Sequence, residues 1–285
     1  MDSSQNNCRY SVLINTCDKF EDCWDPFFKL WSIYWKDCSG KIYLNTEYKE
    51  FAYPGLDIIP VISCAGKCIN GTYATWSQCF RWALEKIDTD IVLYMQEDYF
   101  LNAVVDNIKV EEYVNYMIAH PEIPCIQLTS AGIPVGDMAE ASLHLNYGKL
   151  DRSHYVSCQA SIWRKDVLQD LIRDHETAWN FEWYGSKRAI CKGYKFLTVN
   201  HEWLREGNSI IPYIVTGVIG GKWNKPVVSL FQKNDIKNDF SKRGFFVHNK
   251  KKSIVEKILF KFHFVKIKSE FELLTLKWKY WHHGS

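Results

Sequence analysis

A chain of 285 residues with 47% hydrophobic and 24% charged side chains has the material for a sizeable core, which excludes a disordered or collagen-like protein. Ten scattered cysteines, with no CxxC and no paired Cys/His spacing, exclude a zinc ribbon and argue for a reducing cytoplasm rather than a disulfide scaffold. The net charge of +2 is uneven: from Lys222 onward 15 Lys and Arg face 5 Asp and Glu, a balance of +10 that leaves −8 on the preceding residues. An acidic body disfavours nucleic acid as a partner, and a basic tail points to an anionic surface.

In chain order, residues 10–16 (YSVLINT) read as a first strand, followed by a polar turn at Cys17-Asp18-Lys19. Residues 23–36 place Trp24, Phe27, Phe28, Trp31 and Trp35 at helical spacing. Residues 41–45 (KIYLN) and 57–63 (DIIPVIS) read as strands, the second at a sheet edge because Pro60 cannot donate to a ladder. A second helix is predicted over 72–86, then a strand over 91–96. That order describes a mostly parallel, nucleotide-binding half.

Beyond it, 110–119 reads as a helix, 124–129 (PCIQLT) as a strand and 131–150 as a long loop rich in small residues. A strand over 155–163 (YVSCQASIW), helices over 166–173 and 177–192, and a strand over 195–199 complete the body. Asn70-Gly71-Thr72 fits a glycosylation sequon but reads as a turn, because the first residues have no basic and apolar leader. No stretch is long and apolar enough to span a bilayer. The tail has two readings: an amphipathic helix or helical pair lying on an anionic membrane, or one that packs its apolar face on the body and leaves its lysines in water. High aromatic content, 15% with 12 Trp, supplies core residues and flat faces for sugars or bases.

The most informative stretch is 91–98, IVLYMQED. Five apolar residues read as a strand buried on both faces, and Glu97 and Asp98 fall at its carboxyl end, where open α/β sheets bind ligands. Adjacent carboxylates there suit a hard divalent cation on a diphosphate. A solvated acidic turn is the plainer alternative.

The segments YSVLINTCD, LYMQEDYF, YVSCQASIWRKDVL and NFEWYGSKRA, in this order across about 10–222, resemble those of a GT-A fold glycosyltransferase of the bacterial surface-polysaccharide, family 2-like type. The resemblance implies an α/β, Rossmann-like, mostly parallel sheet flanked by helices. It divides the chain into a transferase domain at 1–248 (nucleotide-sugar half 1–105, acceptor half 106–248) and a basic amphipathic segment at 249–285. It also implies that Asp98, and Glu97 beside it, hold the donor and a divalent cation, Mn²⁺ or Mg²⁺. Gln96-Glu97-Asp98 departs from the usual Asp-x-Asp, which puts metal dependence in doubt. His201 would be a third ligand by the same likeness, or a structural histidine.

An inverting transferase needs a carboxylate to take the acceptor proton, and the resemblance points to Glu182. Trp179, Phe181 and Trp183 around it would raise its pKa. Glu176 is the second choice, and pairing of Glu182 with Lys187 or Arg188 the structural alternative. The likeness also points to Thr16, Asp18 and Glu47 for the donor base, although Asp18 equally suits a cap. Arg81 suits the diphosphate or an exposed helix face. Gly220-Gly221-Lys222-Trp223 reads as a mobile lid, with Lys222 on phosphate and Trp223 on a sugar ring.

Together these readings predict a cytoplasmic enzyme, peripheral on the inner face of the plasma membrane, moving a sugar from a nucleotide-sugar to a glycan or lipid-linked glycan. The alternatives are a sugar nucleotidyltransferase, disfavoured because the loop after the first strand has no glycine, and a non-catalytic glycan-binding protein.

Overall fold

Alternation along β1 (Ser11–Asn15) shows how the layers arise. Its five residues are all buried: Val12 and Ile14 join one apolar cluster and Leu13 another on the opposite face. β4 (Ile91–Gln96) does the same, with Leu93 and Met95 in the first cluster and Val92 and Tyr94 in the second. A sheet apolar on both faces must be covered on both, so helices flank it. This computed structural model describes residues 8–68, 73–150, 154–247 and 266–282. The 70–72 sequon and the 249–265 part of the predicted tail lie outside the described residues.

Helix α1 (Trp24–Tyr34) lays Trp24, Phe27, Phe28 and Trp31 on the first face, beside α3 (Asn107–Ala119). Helix α2 (Trp76–Leu84) opens with a Thr75/Gln78 capping box and packs Phe80, Ala83 and Leu84 on the second face, with α4 (Lys165–Leu171). Among the described residues, five of the twelve tryptophans are buried in the core, and Trp31 stacks on Trp35 at 4.3 Å.

With β2 (Lys41–Thr46), β3 (Ile58–Ile62), β5 (Cys125–Gln127), β6 (Val135–Glu140), β7 (Leu145–Gly148), β8 (Ser161–Arg164) and β9 (Leu197–Val199), the 9-stranded sheet has the order β3-β2-β1-β4-β8-β5-β9-β7-β6. Only β7 and β8 run against the other strands. This is the mixed, mostly parallel α/β sheet that the sequence implied, with Pro60 on the edge strand. The sheet runs unbroken through the boundary at 105, since β8 inserts beside β4.

Two expectations fail. The 131–150 stretch is a β6–β7 hairpin rather than a loop; its first strand is half-buried or exposed throughout, so no apolar alternation marks it. The 155–163 strand begins only at Ser161. Before it, side chains take up the backbone donors that a ladder would use: Val156 N–H donates to Ser186 Oγ at 2.7 Å and Ala160 N–H to Tyr213 Oη at 3.2 Å.

Candidate active site

The chain passes from β1 outward to β2 and β3, then returns to β4 on the other side of β1. That reversal is a topological switch point, and it opens a crevice beyond the carboxyl ends of β1 and β4. Thr16 follows β1, and Glu97 and Asp98 follow β4, all three buried. The Thr16 hydroxyl accepts the Trp24 indole N–H at 3.0 Å.

Asp98 Oδ2 accepts the Val218 backbone N–H at 3.1 Å. Burial pushes the Asp98 carboxyl up to about 6, although the Val218 bond pulls the other way. Glu97 is raised well above the carboxylate range by burial and then by the Asp98 charge. Two buried carboxylates that oppose each other's ionisation mark a local deficit of positive charge. A divalent cation on a donor diphosphate would fill it, so this donor set fits one. Among the described residues no three His, Cys, Asp or Glu side chains are gathered to hold a metal. His201 stands at the end of β9, three strands from β4 in the sheet, where burial lowers its pKa.

A cavity of about 620 Å³ brings Asp98 together with Glu182. Glu182 projects from the 178–191 helix, whose Phe181–Gly185 portion is a π-turn. Its Oε1 accepts the Cys158 N–H at 2.7 Å, from the irregular run before β8. Burial raises its pKa, opposed by that bond and by His154. Of the two partners that the paired-helix alternative offered, Lys187 lies over the Trp183 ring at 4.5 Å and 4.0 Å from Glu270, and Arg188 bonds Glu176. Glu176, the second candidate base, is completely buried under Arg188 at 2.6 and 2.8 Å and is absent from the cavity lining.

Asp18 and Glu47 hold the β1 and β2 loops together. Asp18 accepts the N–H groups of Glu47 at 3.0 Å and Tyr48 at 3.1 Å, and its own N–H donates to Glu47 Oε2 at 3.2 Å. Arg81 points elsewhere, to Asp174 at 2.5 Å, and does not line the cavity.

The predicted lid is a hairpin of β10 (Val218–Ile219) and β11 (Lys222–Trp223), turning on Gly220 and Gly221 at φ +58° and +79°. Trp223 is 0% exposed and packs on Phe100 and Phe231, so it has no face to offer a sugar; Lys222 is exposed. The aromatic at the rim is instead Trp179, 72% exposed, with Trp183 one turn on.

Sequence reasoning missed Arg243. It pairs with Asp22 through Nε at 2.7 Å, covers the Phe20 ring at 4.5 Å, and lowers the pKa of both Glu97 and Asp98. Its distance of 221 positions from Asp22 left no local signal. His154 was missed for the same reason; it lines the cavity near Glu182.

No protein-family model and no curated protein matches the sequence. Among solved structures the chain is similar to residues 1–349 of S. aureus TarS, at 11% identity and TM-score 0.43, covering 67% of this chain and 58% of that one. It therefore spans less than two thirds of the TarS fragment. It is also similar to glucosyl-3-phosphoglycerate synthase from Mycobacterium tuberculosis in complex with phosphoglyceric acid, at 10% identity and TM-score 0.46, covering 81% of each chain. A CMP:2-keto-3-deoxy-manno-octonic acid synthetase complexed with CTP matches at 12% identity and TM-score 0.38, over 70% of this chain and 95% of that one. Likenesses at these levels assign no activity.

Proposed function

We propose that the protein is a glycosyltransferase that moves a sugar from a nucleotide-sugar donor to a glycan or lipid-linked glycan by a single, inverting displacement. The observation that carries this reading is one cavity lined by both Asp98, at the switch point of the sheet, and Glu182, a carboxylate held by a backbone N–H.

Glu182 takes the proton of the acceptor hydroxyl, whose oxygen attacks the anomeric carbon. The bond from that carbon to the diphosphate breaks, and its electron pair leaves on the diphosphate oxygen. The raised pKa of Glu182 suits a base working nearer neutrality. Asp98 and Glu97 orient the donor, and a divalent cation held there would neutralise the leaving charge. Arg243, beside both carboxylates, adds a fixed positive charge on the same side.

The described lining of the cavity contains no Lys or Arg, while Trp179 and Trp183 stand at its rim. That suits a neutral sugar, stacked on an indole, better than a phosphorylated acceptor. Biosynthesis of a surface polysaccharide is the setting that the sequence resemblance favours.

The test is a panel of UDP-, GDP-, CMP- and dTDP-sugars with and without Mn²⁺, read first as a thermal shift. Glu182→Gln should keep the donor-induced shift and lose about 100-fold or more of sugar transfer, while Asp98→Asn should lose both. Release of pyrophosphate from a nucleoside triphosphate and sugar phosphate would favour a nucleotidyltransferase instead. Undiminished transfer in both variants would end the assignment of roles.

A further inference from the structure

The C-terminal helix Ile267–His282 is inverted relative to an ordinary surface helix, which turns its apolar stripe to the core. Its inward face is mixed, with Leu273 buried beside polar groups. Ser269, fully buried, donates to Glu176 Oε1 at 2.6 Å; Glu270 accepts the Tyr184 hydroxyl at 3.0 Å; Glu272 accepts Arg173 Nε at 2.8 Å. Its outward face carries Ile267, Phe271, Leu274 and Trp278, exposed by 83%, 69%, 64% and 71%. At 3.6 residues per turn these four fall within an arc of about 60°, a continuous stripe. Lys266 and Lys277 flank it on one side, Lys268 and Lys279 on the other. The acidic residues of the helix, Glu270 and Glu272, are both engaged with the body.

We propose that this outward face lies flat on a lipid bilayer rich in anionic headgroups. The apolar stripe enters the headgroup–acyl boundary and the flanking lysines stay at the level of the phosphates, the arrangement of an interfacial helix. Sixteen residues are too few to span the hydrocarbon layer, and no described helix is long and apolar enough to do so. A second copy of the chain is the poorer occupant, because two such faces would bring their lysines against each other. The inward face grips the 178–191 helix, so the cavity bearing Glu182 is tied to the membrane-facing element through Tyr184 and Glu270. The proposal stands on this surface and does not depend on the transfer reading.

Co-sedimentation of the full chain with vesicles tests it. Vesicles of phosphatidylcholine alone are compared with vesicles containing about one third phosphatidylglycerol, at low and high salt. The chain should pellet with the anionic vesicles at low salt and be released by high salt. Phe271→Ser/Leu274→Ser should weaken binding about tenfold or more, and Lys268→Glu/Lys277→Glu by a similar factor. Both pairs are exposed, so melting followed by circular dichroism should match the parent chain. The proposal is overturned if the parent chain stays in the supernatant with anionic vesicles, or if the Phe271/Leu274 variant binds as well as it does. It is also overturned if sedimentation equilibrium shows a dimer that this variant dissociates, since the stripe would then belong to a second copy.

Discussion

Asp98 ionises at a cost to the fold. Its carboxyl titrates near 6 in the folded chain, against an ordinary value of 3.8. Between those values the folded state holds a proton that the unfolded state has lost, so stability falls as pH rises through this window, and the penalty is complete above it. Asp98→Asn, which removes the charge but can still accept the Val218 N–H, should therefore be more stable than the parent chain at pH 7.5, by on the order of 2–3 kcal/mol with a chelator present. The gap should close near pH 4. Thermal melts of both chains across this range would check it, and a gap independent of pH would exclude the charge as its cause. The same residue shows what sequence offers at this scale. A pair of acids after an apolar run was legible, and so was Glu182 among aromatics. Their environments were not: Glu176 and Glu182 lie on one short stretch of chain, and only folding puts one under Arg188 and the other in the cavity.

Among the elements, the β10–β11 hairpin shows how a loop becomes part of the site. Gly217 leads into it with no room for a side chain: a Cβ there would stand 2.3 Å from the Phe100 ring and 2.7 Å from the Asp98 carbonyl oxygen. Neither neighbour can retreat, since Phe100 is buried and the other atom is backbone. Gly217→Ala should thus destabilise the fold by roughly 1–3 kcal/mol in urea titrations and loosen the hairpin from Asp98, lowering donor affinity. A variant within experimental error of the parent in both respects would show that the hairpin moves freely. The sequence marked this segment by its glycines and read it as a lid. It could not show that Trp223, three residues after Gly220, is a core residue, because a two-residue strand has no periodicity to read.

For the whole molecule, the decisive junction is between the C-terminal helix and the sheet body. Arg173 reaches Glu272 with both Nε and Nη2, across 99 positions of sequence. A double-mutant cycle on Arg173→Ala and Glu272→Ala should return a coupling of about 0.5–1 kcal/mol, reduced by salt, since both side chains keep part of their surface in water. Additive losses would mean that the helix is held by its buried contacts at Ser269 and Leu273 alone. The packing reading of the tail put its apolar face on the body; the described helix packs there with Ser269, Glu270 and Glu272 and leaves Ile267, Phe271, Leu274 and Trp278 exposed. Beside Leu273 its contacts are polar groups, which hydropathy alone would have turned outward.

What the amino-acid sequence determined by itself is local or short-period: the first strand, the helix that carries Trp76 and Phe80, the edge strand at Pro60, and carboxylates after β4. These follow from apolar alternation, helical spacing and turn chemistry, which act over a few residues. The tertiary structure alone decided the order of strands that makes the crevice, the shared cavity of Asp98 and Glu182, the approach of Arg243, and the face that the last helix hides. Each of these joins residues tens to hundreds of positions apart. Such contacts are selected by the packing of the whole chain, not by the pattern of any one segment.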